Sequence, residues 1–285
     1  MKGIILAGGT GSRLFPITVS TSKQLLPIYD KPLIYYSLST LISMGIKEIM
    51  VITTREHKKN FIALLGDGSN FGINLSYIVQ PKPEGIAQAF ILCEKFIGKD
   101  STCLILGDNI FHSNTITADL ERKLEKNRGS IIFTYEVSDP ERYGVVKVKN
   151  NKILSIKEKP KKTSSKDAIT GLYIFDSTVS KKAKSLKPSK RGELEITDLI
   201  NHYLKDNSLK ILKLEKGSAW LDTGTFDSLN EASMFIHTLE KRQGIKIGCP
   251  EETSLRIGNL NKKKLKKIIF NYPCNDYKKY LLSLI

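Results

Sequence analysis

The sequence predicts an α/β fold, and three observations lead to that expectation. Short apolar runs typical of buried strands alternate with segments of helical spacing through the first half of the chain. The first run enters a glycine-rich turn directly, at the end of a strand where open α/β sheets bind ligands. The C-terminal part is helical in pattern and carries several tyrosines. We therefore expect a Rossmann-like mixed, mainly parallel central sheet with helices on both faces, followed by a C-terminal helical region.

The first half supplies four predicted strands with three predicted helices between them. The strands are apolar runs, at Gly3–Ala7, Glu48–Thr54, Leu75–Gln80 and Cys103–Asn109. The helices have apolar residues at helical spacing, at Pro32–Gly45, His57–Leu65 and Gly85–Gly98. Pro32 suits the first turn of a helix and Gly45 suits its end, so both ends of this helix are marked in the sequence.

The middle of the chain is richer in strands. They are predicted at Ser130–Val137, Gly144–Lys149, Lys152–Lys157 and Asp167–Phe175, with the pair Asn150-Asn151 as a hairpin turn. Helices are expected at Ile196–Lys205 and Phe226–Gln243. Because neither an internal repeat nor a long linker interrupts the chain, we expect one compact unit.

Composition excludes several classes of protein. The 285 residues are 40% hydrophobic, and no apolar run approaches the roughly 20 residues of a membrane helix. A glycine-rich loop interrupts the first apolar run after Ala7, unlike a signal peptide, so we expect a cytoplasmic protein without a membrane partner. The cysteines are scattered, which predicts reduced thiols rather than disulfides or a zinc site; they are Cys93, Cys103, Cys249 and Cys274.

The net charge of +16 raises the question of a nucleic-acid partner. The excess is mostly lysine spread in doublets, and the chain has no zinc finger, basic zipper or aromatic-rich RNA-binding strand. The densest run, Lys262–Lys264 with Lys266 and Lys267, falls on an amphipathic helix, where a solvated face is expected. Its apolar face is Leu260, Leu265, Ile268 and Ile269. We therefore expect no nucleic-acid partner.

The turn Gly8-Gly9-Thr10-Gly11-Ser12 is a candidate phosphate site. Such a turn leaves backbone N–H groups open to an anion, and Arg13 and Lys23 follow as two cations. It lacks the ending of a P-loop and the third glycine of a dinucleotide motif. A tight turn with two surface cations is the alternative. The combination suits a leaving group with several negative charges, such as pyrophosphate.

Two aspartates are candidate metal ligands. Asp108 follows a buried strand in Leu104–Asn109, and Asp222 lies in Ala219-Trp220-Leu221-Asp222-Thr223-Gly224 at the end of a strand. Mg²⁺ is usually held by one or two carboxylates together with phosphate oxygens of the substrate. Alternatively, each aspartate could cap the helix that follows it. The sequence alone does not show that the two meet.

Two further stretches carry groups suited to a sugar phosphate and a base. Glu158 could bind sugar hydroxyls and Lys159 the phosphate, although a surface ion pair on an edge strand is the alternative. Gln80 offers both a donor and an acceptor to a pyrimidine, and Gly85 permits close approach. These stretches contain no histidine. A reaction in which an ionised phosphate oxygen attacks needs no general base or protein nucleophile, only alignment and charge neutralisation.

Together these stretches resemble the glucose-1-phosphate thymidylyltransferases, within the broader sugar nucleotidyltransferase family. The resemblance rests on GGTGSRLFPITVSTSKQLLPI, QPKPEGIAQAF, LGDNIF, RYGVV, KEKP, GLYIFD, RGELEITD and AWLDTGT in this order, and it continues through NEASMFIHTLEKRQGIKIGCPEE. It implies a Mg²⁺-dependent reaction of dTTP with glucose 1-phosphate, giving dTDP-glucose and pyrophosphate. This is the first step of dTDP-sugar synthesis, for instance of dTDP-L-rhamnose for cell-surface polysaccharides.

The resemblance also implies roles for individual residues. Those implied to act in catalysis are Arg13, Lys23, Asp108, Lys159 and Asp222, with Asp108 and Asp222 holding the metal. Those implied to bind the nucleotide are Gly8, Gly9, Gly11, Arg13, Lys23, Gln24, Gln80, Gly85 and Asp108. Among them, Gln24, Gln80 and Gly85 would contact the thymine and deoxyribose. Those implied to bind the sugar phosphate are Asn109, Tyr143, Gly144, Glu158, Lys159, Ile169 and Trp220.

The same resemblance implies a division of the chain and an oligomer. Residues 1–225 would form the nucleotidyltransferase domain, with a nucleotide half of about 1–110 and a sugar-phosphate half of about 111–225; residues 226–285 would form the helical region of the same compact unit. The family is usually a homotetramer with a second, regulatory nucleotide site, where Lys246, Glu251 and Arg256 would fall. His112-Ser113 departs from the family pattern there. Preference for UTP, or a sugar-nucleotide sensor without catalysis, are the alternative functions.

Overall fold

A mixed nine-stranded sheet forms the centre of the molecule, in a computed structural model that describes residues 1–113, 116, 120, 128–150 and 152–285. Strand β1 (Lys2–Ala7) pairs in parallel with β4 (Glu48–Thr53) and β6 (Thr102–Leu106), and β4 pairs with β5 (Asn74–Val79). Antiparallel partners extend the sheet beyond β6. The remaining strands are β8 (Ser130–Glu136), β9 (Gly144–Lys149), β10 (Lys152–Glu158), β11 (Asp167–Phe175) and β12 (Leu209–Lys213).

Two small sheets lie outside the large one. The first pairs β2 (Pro27–Ile28) with β3 (Lys31–Pro32), and the second pairs β7 (Asn109–His112) with β13 (Ala219–Asp222). The helices are α1 (Ile34–Ser43), α2 (Lys58–Leu65), α3 (Gln88–Leu92), α4 (Glu94–Ile97), α5 (Val179–Lys184), α6 (Ile196–Lys205), α7 (Phe226–Gln243), α8 (Pro250–Arg256), α9 (Lys262–Phe270) and α10 (Asp276–Ser283). No helix among the described residues is both long and apolar enough to cross a membrane.

Both faces of the large sheet are covered, as the continuous apolar runs predict. Neighbouring residues of β1 point to opposite faces, and both are fully buried. Ile5 belongs to a cluster with Leu38 of α1, whereas Ile4 belongs to a cluster with Phe90 of α3 and Leu199 of α6. The expected α/β architecture, with helices on both faces, is therefore confirmed.

Three element boundaries differ from the expectation. The predicted strand Cys103–Asn109 is two strands, β6 and β7, separated by a turn at Gly107 and Asp108. The predicted helix Pro32–Gly45 begins only at Ile34, because Pro32 pairs in β3 instead. The predicted helix Gly85–Gly98 is replaced by α3 and α4, and its first residue cannot be helical because Gly85 has a φ of +103°.

Three smaller expectations are also answered by the structure. Lys149 pairs with Lys152, so a two-residue hairpin joins β9 to β10 as predicted. Asn150 has a φ of 51° in this turn, whereas Asn151 lies outside the described residues. In the helical region, Leu265 and Ile269 of α9 are buried, and the lysines of its first turns are exposed. Three cysteines are buried and Cys274 is exposed, all as free thiols.

A buried group of charges joins the end of α7 to the β2–β3 hairpin. Glu240 accepts hydrogen bonds from Lys31 Nζ at 2.7 Å, Lys246 Nζ at 2.8 Å and the backbone N–H of Ile247 at 2.8 Å. Asp30 is the second carboxylate bound by both lysines. Lys31 and Glu240 are almost inaccessible to water, with side chains 1% and 3% exposed. Removal of either partner would leave a buried charge without its main counterion.

We predict that Glu240→Ala lowers the free energy of unfolding by about 3 kcal/mol, because Lys31 and the Ile247 N–H lose a buried acceptor. Urea-induced unfolding followed by circular dichroism measures this loss. The matched control is Asp276→Ala, which removes an exposed carboxylate paired with Lys279 and should change stability by less than about 0.5 kcal/mol. Equal stability of the two variants would contradict the structural role of this charge group.

Candidate active site

The two candidate aspartates lie side by side although they are far apart in the sequence. Asp222 ends β13, and it pairs with Asn109, the first residue of β7. Thr223 completes the connection, because its Oγ1 donates to the carbonyl oxygen of Asp108 at 2.9 Å. The antiparallel pair β7–β13 therefore brings both carboxylates to the carboxyl end of β6, where the sheet opens.

Neither aspartate caps a helix. Asp108 is followed directly by a strand, which excludes the capping interpretation for it. The N-cap of α7 is Thr225: Ser228 N donates to its Oγ1 at 3.2 Å, and Thr225 N donates to Ser228 Oγ at 2.9 Å. Asp222 thus has no capping role either. Both carboxylates are available for another purpose.

Three cations surround the pair of carboxylates. Lys23 Nζ lies 2.7 Å from Asp108 Oδ2, and Arg142 Nη2 lies 3.4 Å from Asp222 Oδ2. Arg13 is close by: a Cβ built on Gly224 would lie 3.2 Å from Arg13 Nη1 and 3.1 Å from Asp222 Oδ2. The site therefore contains a concentrated, partly compensated set of opposite charges.

The protein shifts the pKa values of the two aspartates in opposite directions. Burial acts to raise the pKa of Asp108, but the charge and hydrogen bond of Lys23 outweigh it and hold that pKa below its ordinary value. Burial raises the pKa of Asp222, and the negative charge of Asp108 raises it further, against the opposing effects of Lys23 and Arg13. The neighbouring cations therefore do not fully compensate Asp222 for its burial and for the charge of Asp108 in the protein alone.

This donor set fits a hard divalent cation such as Mg²⁺. Two carboxylates meet, and the pKa of Asp222 is raised by burial and, in addition, by the negative charge of Asp108. Mg²⁺ binds one or two carboxylates and fills its other positions with water and substrate phosphate. Within the described part of the chain, no group of three or more His, Cys, Asp or Glu side chains could hold a metal by itself. The pair thus fits a metal that arrives with phosphate, rather than one held by the protein alone.

The glycine-rich turn lines a cleft of about 290 Å³ beside these charges. Gly11 has a φ of 63°, and its carbonyl accepts from Thr18 Oγ1 at 3.0 Å, which fixes the turn. We call this space the loop cleft. The predicted nucleotide residues that line it are Gly9, Gly11, Arg13, Lys23, Gln24 and Asp108.

The other three predicted nucleotide residues do not line the loop cleft. Gly8 lies against Gln80, because a Cβ at Gly8 would be 2.1 Å from Gln80 Oε1. Gly85 packs against the backbone of Leu194, whose carbonyl oxygen would be 2.4 Å from a Cβ. The structural reason for glycine at position 85 is therefore a contact with its own chain. The role of these residues towards a nucleotide stays a prediction.

A second cleft, of about 200 Å³, lies on the other side of the aspartates. All the residues predicted to bind a sugar phosphate line it, and we call it the sugar cleft. They are Asn109, Tyr143, Gly144, Glu158, Lys159, Ile169 and Trp220. Arg13 and Asp108 line both clefts, and Asp222 lines the sugar cleft. The two spaces therefore meet at the charged centre.

Asn109 holds the wall between β7 and the sugar cleft. It is buried, and its Oδ1 accepts from Trp220 Nε1 at 2.6 Å and from the backbone N–H of Gly171 at 3.1 Å. Its Nδ2 donates to Asp108 Oδ1 at 3.0 Å. Through these bonds Asn109 orients Asp108 and Trp220, and its role towards a sugar phosphate stays a prediction.

Glu158, which lines the sugar cleft, lies near a second carboxylate, that of Glu195. Burial raises the pKa of Glu158, and the nearby charge of Glu195 raises it further. Lys159 adopts a φ of 38°, and its backbone N–H donates to the carbonyl of Tyr143 at 3.0 Å. This unusual backbone conformation is held in place at the position expected to meet a phosphate.

Sequence reasoning missed several residues of this site. Arg142 and Thr197 line the sugar cleft, and Arg191 Nη2 lies 3.5 Å from Glu158 Oε1. Arg191 also binds Glu195 through Nε at 3.1 Å and Nη2 at 2.7 Å. Arg191 and Thr197 belong to RGELEITD, which was used only for the resemblance. The available signal in this stretch was its charged residues, which alternate with apolar ones.

The residues predicted for a regulatory site do not all meet. Lys246 and Arg256 line a separate cleft of about 300 Å³, together with His112 and Ser113. Glu251 is buried instead, and its carboxylate accepts from Tyr272 at 2.8 Å and from Tyr277 at 2.6 Å. Its neighbour in sequence, Glu252, lines the cleft. Glu251 therefore packs against the C-terminal tyrosines instead of lining this cleft, and its regulatory role stays a prediction.

Comparisons with known proteins agree on one family. The model of the nucleotidyl transferase family matches residues 2–238. A glucose-1-phosphate thymidylyltransferase of Neisseria meningitidis serogroup A is 52% identical over 286 residues, which cover 100% of this chain and 99% of that protein. The enzyme of the same description from Mycolicibacterium smegmatis is 50% identical, with the same coverage.

Solved structures are similar in fold as well. The crystal structure of a Bacillus anthracis protein described as a glucose-1-phosphate thymidylyltransferase, in complex with sucrose, has a TM-score of 0.78 and 47% identity. It covers 82% of this chain and 94% of that one. A UDP-glucose pyrophosphorylase complexed with UDP-glucose has a TM-score of 0.72 and 25% identity, covering 84% of this chain and 98% of that one.

We predict that Asn109→Ala lowers the free energy of unfolding by about 3 kcal/mol, because the buried N–H groups of Trp220 and Gly171 lose their acceptor. Trp220 is the only tryptophan, so its fluorescence during urea unfolding follows this region directly. Asn60→Ala, at an exposed position of α2, is the control and should leave stability nearly unchanged. A loss no larger than in this control would argue against the role of Asn109.

Proposed function

Because the chain belongs to the nucleotidyl transferase family, we propose that this enzyme transfers the thymidylyl group of dTTP to glucose 1-phosphate. A phosphate oxygen of the sugar attacks the α-phosphorus of dTTP. The bond from that phosphorus to the β-phosphate oxygen breaks, and pyrophosphate leaves. The product is dTDP-glucose, the starting point of dTDP-sugar synthesis. We propose that it enters the pathway to dTDP-L-rhamnose.

One observation carries this proposal. The loop cleft and the sugar cleft are separate spaces that share Arg13 and Asp108. Two substrates bound in them would face each other across these two residues. Alignment of an already ionised nucleophile with a phosphorus atom supplies much of the rate enhancement in phosphoryl-type transfers.

On the nucleotide side, open backbone amides and fixed cations receive the triphosphate. The turn from Gly9 to Gly11 supplies the amides, and Arg13 and Lys23 supply positive charge. Arg13 neutralises the charge that develops on the leaving pyrophosphate. Gln24 lines the same cleft, and with Gln80 it recognises the base.

On the sugar side, Lys159 holds the phosphate, and Glu158 binds hydroxyls of the glucosyl ring. Tyr143 and Trp220, whose ring centroids lie 5.0 Å apart, form an apolar wall suited to the face of a sugar. No side chain has to accept a proton, because the attacking phosphate is ionised near neutral pH. The absence of histidine from the lining of both clefts fits this chemistry.

Asp108 and Asp222 are the residues we propose to hold Mg²⁺. When bound, the metal neutralises negative charge on the α-phosphate. The carboxylate of Asp222 gains from this arrangement, since burial and Asp108 disfavour its ionised form in the protein alone. Lys23 keeps Asp108 ionised and oriented until the substrate arrives.

Two alternatives follow from particular observations. The similarity to a UDP-glucose pyrophosphorylase favours UTP as a competing nucleotide, and Gln24 and Gln80 meet groups that thymine and uracil share. A sensor without catalysis would need a disabled charged centre, whereas Arg13, Lys23 and both aspartates are in place. A homotetramer with feedback regulation is a further proposal, supported by the resemblance alone.

We predict that pyrophosphate release with glucose 1-phosphate and Mg²⁺ is fastest with dTTP among dTTP, UTP, CTP, ATP and GTP. EDTA should abolish it, and added Mg²⁺ should restore it, because two carboxylates hold a metal too weakly to keep it from a chelator. A coupled phosphate assay on the purified protein measures these rates. Faster release with UTP would change the substrate but keep the mechanism, and no release with any nucleotide would refute the proposal.

We predict that Arg13→Ala lowers kcat about 100-fold, because the leaving group loses a fixed cation at the centre of the site. The KM for glucose 1-phosphate should change less than about threefold, because Lys159 remains. Arg55→Ala, at an exposed position outside both clefts, is the matched control. A variant that loses affinity for the sugar phosphate but retains kcat would assign Arg13 to the other substrate.

A further inference from the structure

A chain of three side chains runs from Gln80 towards the surface. Gln80 Nε2 donates to Gln88 Oε1 at 2.6 Å, and Gln88 Nε2 donates to Glu84 Oε2 at 2.7 Å. The backbone N–H of Glu84 also donates to Gln88 Oε1, at 3.2 Å. Both amides are buried, with Gln80 5% and Gln88 8% exposed. Neither can therefore exchange these partners for water at low cost.

The carboxylate at the end of this chain determines the direction of every bond in it. An ionised carboxylate only accepts hydrogen bonds, so Gln88 must turn its NH₂ group towards Glu84. Its oxygen then faces both the Glu84 N–H and Gln80. Gln80 has to answer with its own NH₂ group. A reversed Gln88 amide would place its oxygen against the carboxylate and its NH₂ group against a backbone donor.

Gln80 is thereby left with its oxygen on the other side. That atom, Oε1, lies against Gly8, where the absence of a Cβ makes room for it. No described residue donates a hydrogen bond to Gln80 Oε1. An acceptor of fixed position therefore stands at the start of the phosphate-binding turn.

We propose that Gln88 and Glu84 are positioning residues that hold Gln80 as a hydrogen-bond acceptor and so select the nucleobase. This inference rests on the proposed function, in which Gln80 meets the base of the nucleotide. Thymine and uracil present N3–H, a donor, to such an oxygen. Cytosine presents a bare N3 at the same position, and two acceptors would then face each other without a proton between them.

Gln24 complements this arrangement. It is buried and lines the loop cleft, and its Oε1 accepts from Ser22 Oγ at 2.7 Å, which leaves Nε2 as the donor of this side chain. Thymine and uracil carry carbonyl oxygens on both sides of N3–H. One fixed acceptor and one fixed donor match that edge, whereas cytosine replaces one carbonyl by an amino group.

The experiment compares dTTP with dCTP in steady-state kinetics of the full chain with Mg²⁺. Gln88→Leu removes the lock while keeping side-chain volume, and Glu84→Gln keeps the hydrogen bond but no longer forces its direction. We expect the ratio of kcat/KM for dTTP over dCTP to fall about tenfold or more in Gln88→Leu, and less in Glu84→Gln. The KM for glucose 1-phosphate should stay within about twofold.

The control is Glu94→Gln, which removes an exposed carboxylate of α4 that pairs with Lys184 of α5. It should leave the ratio of kcat/KM for dTTP over dCTP unchanged. Calorimetric binding of dTTP and dCTP gives a readout independent of turnover. A uniform loss with both nucleotides, at constant ratio, would mean a merely structural role and overturn the inference. Wild-type protein that does not use dTTP would instead refute the proposed function, and the inference with it.

Discussion

The whole site depends on the antiparallel pairing of two four-residue strands, Asn109–His112 and Ala219–Asp222. This pairing lies outside the large sheet, and it places one aspartate against another at the carboxyl end of β6. The cost of bringing two negative charges together is partly offset by cations from three other parts of the chain, Arg13, Lys23 and Arg142. The buried amide of Asn109 then fixes the pair to Trp220 and to β11. Each of these side chains has a defined place only because the two short strands are in register.

Local sequence was sufficient wherever a feature is formed by consecutive residues. The strand ending at Ala7 and the glycine turn are such features, and so are the hairpin after Lys149 and the helix over Phe226–Gln243. The elements that were misplaced depend on pairing and packing contacts of the folded chain. Pro32 looked like the start of a helix but pairs with Pro27 in a hairpin, and the helix expected from Gly85 begins only at Gln88, after the chain has packed against Leu194. Propensity along the chain contains no information about such contacts.

The candidate site divides in the same way. The sugar-cleft residues were identified from separate stretches of the sequence, yet only the fold brings the seven together. That Asp108 and Asp222 meet could not be seen, because the register between β7 and β13 is set by non-local packing. Glu251 shows the opposite case: a charged residue in a helical tail suggests a surface, but two tyrosines from the last helices bury it. A buried carboxylate whose donors are phenols has no signature in a single sequence.

The charge group of Asp30, Lys31, Glu240 and Lys246 has an evolutionary consequence. Asp30 and Lys31 belong to the β2–β3 hairpin, Glu240 to α7, and Lys246 to the loop that follows α7. Each lysine contacts both carboxylates. Replacing Lys31 or Glu240 alone leaves a residual charge on a partner that is almost inaccessible to water. Such positions change together or not at all, so a homologue that has lost one member should have lost its counterpart. Lys246 lines the separate cleft of about 300 Å³, and we expect it to be retained there because it pairs with Glu240 of α7.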